Sequence, residues 1–351
     1  IIYNDSSYGD IYMKKQLFFK TIAFLFLSFT SCFSVAKDPL IVAHYGEIHP
    51  QQVQHVFSAG KVSDVMLISI APEKLIGLSS GLSPKIQHYF DPNIVKLPET
   101  GRLAGRGSTA PIEKIANLNP DLILDLGSTT PSYIATAERV YQQTNVPYLL
   151  IDGRFSQSAE QIRSIGKLLN NQDRAEKLAI FAERILAITE NIGRQDNRLS
   201  VYVARGVDGL ETGLEHSIHT EVIEWVGAKN AAAVIGQDKT VRISMEQLLQ
   251  WQPDLIITQD PNLYKAIQTS ALWQNLSAVK NQKIYLVPNE PFGWIDSPPS
   301  INRLLGAIWL GHLLNPHKLD QSTYSALITE YFELFYDHKL TEQEGLAFGV
   351  K

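Results

Sequence analysis

The stretch Pro111–Leu124, PIEKIANLNPDLIL, recurs 133 residues later as Ser244–Ile257, SMEQLLQWQPDLII. Each copy has apolar residues at helical spacing, then a Pro-Asp pair, then a short apolar run. Proline ends a helix because it lacks an N–H and biases the preceding residue away from helical geometry. The apolar run fits a strand buried on both faces of a parallel sheet. The repeat therefore predicts two lobes of similar design with a ligand cleft between them.

Short apolar strands alternate with helical patterns along the rest of the chain, which is typical of parallel α/β architecture. We expect an α/β protein with an N-terminal lobe over residues 37–155 and a C-terminal lobe, with terminal helices, over residues 194–351. Residues 156–193 contain few breaking residues and are predicted to form one long rigid helix between the lobes, with Asn170-Asn171 as the place for a bend. Such a connection predicts little hinge closure.

Residues 1–36 are predicted to comprise upstream residues and a secretory signal peptide. Met13-Lys14-Lys15 precedes the apolar run Leu17–Phe33 and the small-residue pattern that ends at Ala36. The alternative is a membrane anchor, but Lys20 interrupts the short run. We therefore expect a periplasmic protein exported through a cleaved signal peptide.

Cys32, the single cysteine, lies inside this signal, in a segment that loosely resembles a lipoprotein cleavage box. Phe29 replaces the usual aliphatic residue, so we expect cleavage after Ala36 and no lipidation at Cys32. The mature chain would then have no cysteine for a disulfide, a thiolate metal site or a nucleophile.

The bulk composition excludes nucleic acid as the main partner, because net charge is −5 and only 19% of the residues are charged. A chain of 351 residues with 44% hydrophobic content is large enough for more than one core. An acidic chain can still carry a local basic site for a small anionic ligand.

Ligands of open parallel sheets bind beyond the carboxyl ends of the strands. In the first lobe this rule points to Gly101–Ala110, GRLAGRGSTA, directly before the repeated helix. Its glycines let backbone amides approach a ligand, Arg102 and Arg106 add charge, and the following helix start favours anions. The alternative is a flexible loop with solvated arginines.

In the second lobe, Arg205 ends a predicted strand and could bind the ligand or pair with Asp208 or Glu211. The later segment Pro288–Ser300 offers aromatic surface, for ligand contact or for packing under the final helices. The predicted ligand-binding residues are Arg102, Arg106, Gly107, Ser108, Arg205, Thr212, Thr240, Arg242, Trp294 and Ser297.

The sequence offers no motif for metal ligation or catalysis. The nine histidines are scattered, and no HExxH, CxxC or GxSxG pattern occurs. We therefore expect no metal bound directly by side chains, no cofactor and no catalytic residues.

From about residue 38 to residue 335 the chain resembles periplasmic substrate-binding proteins of the metal-chelate class, which serve ATP-driven (ABC) importers. The resemblance is carried by HVFSAGKVSDVMLISIAPEKLIGLS and by both copies of the repeat. It implies two lobes bridged by a long helix and a permease dimer as partner. In similar proteins a glutamate on each lobe docks onto permease arginines, and the matching residues are Glu113 and Glu246. Each carboxylate also sits where it favours a helix start.

The resemblance is strongest to the molybdate/tungstate-binding branch, through RGVDGLETG and PFGWIDSPPSINRLLG. Arginines, glycine amides and hydroxyls suit an oxyanion, because charge-assisted hydrogen bonds are strong. The sequence thus predicts a receptor for molybdate or tungstate, with an anionic ferric siderophore or haem as the alternative ligand. A nitrogenase-like bilobal enzyme is the rival from another class, but it would need a catalytic constellation or bound cluster.

Overall fold

The structure, a computed structural model, describes residues 40–103, 107–194 and 198–351. The predicted signal peptide, Cys32 and Arg106 lie outside these described residues.

The first lobe contains a four-stranded sheet in the order β1-β4-β3-β2. Strands β2, β3 and β4 run parallel, whereas β1 pairs antiparallel with β4, so this sheet is mixed rather than wholly parallel. The strands are β1 (Ile41–Tyr45), β2 (Val56–Ser58), β3 (Leu122–Gly127) and β4 (Tyr148–Asp152), and the helices between them are α1 (Lys61–Ile70), α2 (Pro92–Val95), α3 (Ile112–Leu118) and α4 (Pro131–Thr144).

The second lobe contains a separate four-stranded parallel sheet in the order β10-β9-β5-β7 and a two-stranded antiparallel ribbon of β6 and β8. The strands are β5 (Ser200–Val203), β6 (Glu211–Gly213), β7 (Lys229–Asn230), β8 (Thr240–Arg242), β9 (Leu255–Thr258) and β10 (Ile284–Leu286), and the helices are α7 (Glu221–Trp225), α8 (Met245–Trp251), α9 (Pro261–Thr269) and α10 (Ser277–Lys280).

The sequence repeat is also a structural repeat. Helices α3 and α8 each span seven residues and end at a residue in the left-handed conformation, Asn119 or Gln252, both with φ of 43°. The Pro-Asp pair then fastens the next strand to its neighbour. Asp121 Oδ2 accepts from the backbone N–H of His55 at 2.8 Å, just before β2, and Asp254 Oδ2 accepts from Ser200 at 2.7 Å, at the start of β5. The aspartate thus recurs because it pins two parallel strands together in each lobe.

The segment predicted as one long helix is two helices, α5 (Ser158–Leu168) and α6 (Gln172–Thr189). Asn170 adopts a left-handed conformation, with φ of 53°, and the chain folds back. The guanidinium of Arg163 consequently reaches both Glu176 and Glu183 on α6. The single rigid helix over residues 156–193 is therefore wrong, and the predicted bend is a reversal.

Three further helices complete the chain: α11 (Arg303–Leu314), α12 (Gln321–Tyr336) and α13 (Glu342–Ala347). One continuous apolar core joins α11, α12, α5 and α6 to both sheets, with Leu124 and Ile151 from the first sheet and Val201 and Ile257 from the second. Among the helices described, none is long and apolar enough to cross a membrane.

Candidate functional site

A cavity of about 900 Å³ lies where the carboxyl ends of strands from both sheets meet. Gly60 and Lys61 follow β2, Ser128 follows β3, Arg205 follows β5 and Gln259 follows β9, and all five line the cavity. Both lobes therefore contribute to its wall, as the rule for open parallel sheets predicts.

Four of the predicted ligand-binding residues line this cavity. Arg102 comes from the first lobe, whereas Arg205, Thr240 and Ser297 come from the second. The structure thus brings one predicted arginine from each lobe to a single space.

Gly107 and Ser108 do not line the cavity and instead contact the Arg102 residue. The Arg102 Nε donates to the Gly107 carbonyl oxygen at 2.8 Å, and the Ser108 hydroxyl donates to the Arg102 carbonyl oxygen at 3.2 Å. Gly107 has φ of +93°, a conformation that favours glycine. Their position indicates a role in shaping the Arg102 loop rather than in direct contact with a ligand.

Arg242 is placed outside the cavity by an ion pair with Asp208. Its Nη1 donates to Asp208 Oδ1 at 3.0 Å, and the side chain is 59% exposed. Asp208, which the sequence offered as a partner for Arg205, therefore forms its ion pair with Arg242.

Two other predicted contacts, Trp294 and Thr212, are buried away from the cavity. The Trp294 indole is fully buried, packs against Phe348 at a ring-centroid distance of 5.2 Å, and donates from Nε1 to the Glu290 carbonyl oxygen at 3.0 Å. Thr212 lies in β6 with no exposed surface. Trp294 thus packs inside the protein, which is the alternative to ligand contact that the sequence offered for this segment.

Arg205 is held at the cavity wall by a buried carboxylate that the sequence did not single out. Asp296 is 2% exposed, and its Oδ2 lies 2.8 Å from Arg205 Nε and 2.9 Å from His219 Nδ1. Gln259 donates to the other oxygen of the same carboxylate. Burial raises the pKa of Asp296, but the hydrogen bond from His219 and the charge of Arg205 outweigh burial and hold that pKa below its usual range. Asp296 is therefore an ionised carboxylate that contacts both Arg205 and His219.

The loop that carries Asp296 packs tightly on the end of β9. Gln259 Oε1 accepts from the Ile295 backbone N–H at 2.9 Å, and Asn289 donates to the Gln259 carbonyl oxygen at 3.0 Å. A Cβ on Gly293 would lie 2.7 Å from Ser297 Cβ and 2.5 Å from Gln259 Oε1, so a larger residue would displace this loop or break the contacts of Gln259. These contacts hold the loop that carries Asp296 against the end of β9.

The first-lobe wall combines the start of α1 with two buried acids, Asp64 and Asp125. Burial raises the pKa of Asp64 to about 6, against hydrogen bonds from Ser58 and Ser79. Burial likewise raises the pKa of Asp125 to about 6, although the Tyr148 hydroxyl donates to it at 2.9 Å. These two acids hold protons more readily than Asp296, so the wall is less negative than its composition indicates.

We expect Asp125→Asn to raise the free energy of unfolding at neutral pH. The folded pKa of Asp125 is about 6 and the ordinary value is 3.8, so between these values the folded chain keeps a proton that the unfolded chain releases. Stability is therefore lost as pH rises through this window, and each pKa unit corresponds to about 1.4 kcal/mol. The variant should gain about 1–3 kcal/mol above pH 6, as measured by urea unfolding.

Asp121→Asn is the matched control with the opposite sign, because the hydrogen bonds from Gln54 and His55 lower the pKa of Asp121 despite the opposing effect of burial. It should be less stable than the parent chain above about pH 4, and the difference should shrink as pH falls further and Asp121 takes up its proton in the folded chain. A loss of stability in Asp125→Asn at neutral pH would contradict the assignment.

The sequence reasoning missed His219, Gln259, Asp296 and Lys61. Gln259 and Lys61 follow strands β9 and β2 at their carboxyl ends, so the rule that selected Arg205 could have selected them. Asp296 and His219 carry no such signal, because they meet only through the packing of two loops that are 77 residues apart.

Within the described ranges, no group of three or more His, Cys, Asp or Glu side chains is arranged to hold a metal ion.

Two α/β lobes with a ligand-sized cavity at the carboxyl ends of both sheets indicate a protein that binds a small ligand between its lobes. A family model described as periplasmic binding protein matches residues 90–291. The chain belongs to this family and is a substrate-binding protein of ABC transport rather than an enzyme.

Several known proteins are similar to the chain. The molybdate-binding protein MolA of Haemophilus influenzae is 26% identical over 304 residues, which cover 76% of this chain and 81% of MolA. The Fe(3+)-citrate-binding protein YfmC of Bacillus subtilis is 28% identical over 193 residues, covering 52% of this chain and 58% of YfmC.

Solved structures confirm the fold. An ABC transporter solute binding protein from Sulfurospirillum deleyianum superimposes with a TM-score of 0.78 at 26% identity, covering 88% of this chain and 98% of that one. MolA bound to molybdate superimposes with a TM-score of 0.68 at 20% identity, covering 84% of this chain and 96% of MolA.

Proposed function

We propose that the protein captures a small anionic ligand, molybdate or tungstate, in the cavity between its lobes and delivers it to the permease dimer of an ABC importer. The observation that carries this proposal is the anchored Arg205. Asp296 holds the guanidinium through Nε, 2.8 Å away, and the side chain is still 18% exposed at the cavity wall. A pre-positioned guanidinium loses little freedom when it binds an oxyanion, and such charge-assisted hydrogen bonds are strong.

The first lobe supports an anion from the opposite side. Arg102 and Lys61 line the cavity, and so does Gly60, the residue that precedes α1. Gly60 offers no side chain to cap the first N–H groups of α1, which leaves the positive end of a ten-residue helix at the wall. The similarity to MolA, whose name and structure specify molybdate, favours the oxyanion.

An anionic ferric chelate or haem is the second candidate, and the size of the cavity favours it. A volume of about 900 Å³ lies near the upper end of the range for drug-sized ligands, about 300–1,000 Å³. A five-atom oxyanion would leave most of that space to water. Tyr133 and Phe292 add aromatic surface to the wall, and the similarity to YfmC points to iron citrate.

Calorimetry separates the two candidates. The purified protein would be titrated with molybdate, tungstate, sulfate, ferric citrate, a panel of anionic ferric siderophores and haem. We expect heat from molybdate and tungstate and little from sulfate. Heat from the chelates alone would show that the oxyanion proposal is wrong and that the second candidate is correct.

Arg205→Ala should weaken binding of the oxyanion by about 1.5–3 kcal/mol, that is, from about tenfold to more than a hundredfold. Arg242→Ala is the control on the same lobe, because Arg242 pairs with Asp208 outside the cavity. Circular dichroism would verify that both variants are folded. Equal affinity of the two variants would contradict the role of Arg205. Arg106, outside the described residues, stays a predicted contact.

We further propose that Glu113 and Glu246 dock onto the permease, one from each lobe. Both are exposed in the first turns of the equivalent helices α3 and α8. The α3 helix begins ten residues after Arg102 and α8 begins five residues after Thr240, so each helix follows a segment that contributes to the cavity wall. We also propose that the signal peptide is cleaved and that Cys32 is not lipidated. The lobes are proposed to cover residues 37–155 and 194–351.

A further inference from the structure

His219 lies where a histidine can control anion binding. Its Nδ1 lies 2.9 Å from Asp296 Oδ2, the oxygen that also contacts Arg205 Nε at 2.8 Å. The side chain is 26% exposed and lines the cavity. Within the parts of the chain that the structure describes, His219 Nε2 has no hydrogen-bond partner. The imidazole and the guanidinium therefore reach one ligand space from a shared carboxylate.

The contact with Asp296 fixes which nitrogen of His219 carries the proton in the neutral form. An ionised carboxylate only accepts hydrogen bonds, so Nδ1 must be the donor. The low pKa of Asp296 keeps that carboxylate ionised. Neutral His219 consequently exposes a lone pair on Nε2, which repels an oxyanion, whereas protonated His219 exposes a charged N–H donor.

We propose that His219 is a ligand-binding residue that contacts the oxyanion only when protonated, so that ligand capture takes up a proton. The proposal rests on the function proposed above and adds a pH-dependent donor to it. Histidine is the side chain whose charge changes between about pH 5 and pH 8, so the coupling acts at ordinary pH.

Charged groups of both signs surround His219. Its direct contact is Asp296, and the second cation on that carboxylate is Arg205. Behind the loop, buried Arg303 donates to the Ile218 carbonyl oxygen and pairs with Glu221. The charged or titratable groups that line the rest of the cavity are Lys61, Arg102, Asp64, Asp125 and Tyr133.

The test is calorimetry with molybdate, tungstate and sulfate, anions that stay fully ionised between about pH 6 and pH 8, in buffers of different ionisation enthalpy. The parent protein should take up as much as one proton per anion, with affinity falling by as much as tenfold per pH unit over that range. His219→Gln, which cannot be charged, should bind with an affinity that does not change over this pH range and should take up no proton.

His216→Gln is the matched control, since His216 is on the same loop but is 61% exposed, pairs with Glu224 and does not line the cavity. It should keep the parent pH dependence. An NMR titration of the His219 ring should show protonation shifting to higher pH when molybdate is added, a response that a purely structural histidine would not give.

Four outcomes overturn the inference. Oxyanion binding without proton uptake, or proton uptake that survives in His219→Gln, overturns it and leaves the proposed function standing. If affinity rises with pH and protons are released on binding, His219 Nε2 is instead a hydrogen-bond acceptor or a ligand to the metal of a chelate. Absence of binding by all three oxyanions would overturn the proposed oxyanion receptor as well.

Discussion

Arg303→Met should lower the free energy of unfolding by about 3–5 kcal/mol. Arg303 is 1% exposed, and its Nη1 lies 2.9 Å from Glu221 Oε2 and donates to the Ile218 carbonyl oxygen at 2.9 Å. Its other nitrogens donate to the carbonyl oxygens of Ser300 and Gly153. Methionine would fill the space, but the buried Glu221 carboxylate would lose its charged partner and keep the Phe155 backbone N–H as a donor. The carbonyl oxygens of Ile218 and Gly153 would lose the donor that Arg303 supplies.

Burial raises the pKa of Glu221 and lowers the pKa of Arg303 in spite of their mutual attraction. Both shifts favour the neutral forms, because removing the two charges from water costs free energy. Burying either charge without its partner costs more. The double replacement Arg303→Met with Glu221→Leu should therefore lose less stability than Arg303→Met alone. Denaturant unfolding followed by circular dichroism would measure all variants.

Arg184→Met is the surface control. Arg184 pairs with Glu330 at 2.5 Å, but both side chains are nearly half exposed, and such pairs contribute less than about 1 kcal/mol. Equal losses in Arg184→Met and Arg303→Met would show that the buried pair does not stabilise the fold. Arg303 on α11 joins Gly153 of the first lobe to Glu221 of the second, so the loss would measure how much this contact between the lobes stabilises the fold.

The bilobal fold could be predicted because its deciding signals are local and duplicated. The helices of the repeat begin at Ile112 and Met245 and the following strands at Leu122 and Leu255, so both boundaries keep the 133-residue offset of the sequence. Proline, left-handed helix ends and short apolar runs act over a few residues and need no tertiary context.

Elements without a local signal were missed or misread. Helix α1 is buried on every side from Ser63 to Ile70, so it shows no amphipathic period. The reversal between α5 and α6 depends on close packing at Gly166, where a Cβ would lie 2.1 Å from the Ala175 Cβ. Two helices that fold back on each other and keep the same apolar spacing give the same sequence pattern as one longer helix.

The site was predictable to the extent that it follows the strand-end rule. Arg102, Arg205, Thr240 and Ser297 line the cavity, and their contact with a ligand stays a prediction. The sequence could not show which arginine lines the cavity, because Asp208 and Asp296 can each pair with an arginine. Tertiary packing pairs Arg242 with Asp208 and Arg205 with Asp296.

Replacing both Glu113 and Glu246 by arginine should abolish transport while leaving ligand affinity nearly unchanged. Both carboxylates are exposed and neither lines the cavity, so the ligand should not sense the change. Hydrogen bonds from its own backbone and from Ser244 hold the pKa of Glu246 below its usual range, which keeps this carboxylate charged. Reversing one charge on each lobe would set arginine against the proposed arginines of the permease, and like charges in contact oppose docking.

Glu138→Arg with Glu333→Arg makes the matched control, because it changes the net charge equally at exposed glutamates on α4 and α12 that do not border the cavity. Uptake into proteoliposomes that contain the permease would be measured for both double variants, and calorimetry would measure their affinity for the ligand. The control should support normal uptake. Normal uptake by the Glu113 and Glu246 double variant would refute the docking assignment, and loss of uptake in both variants would attribute the effect to net charge, since association steered by long-range charge weakens as the overall charge of one partner changes.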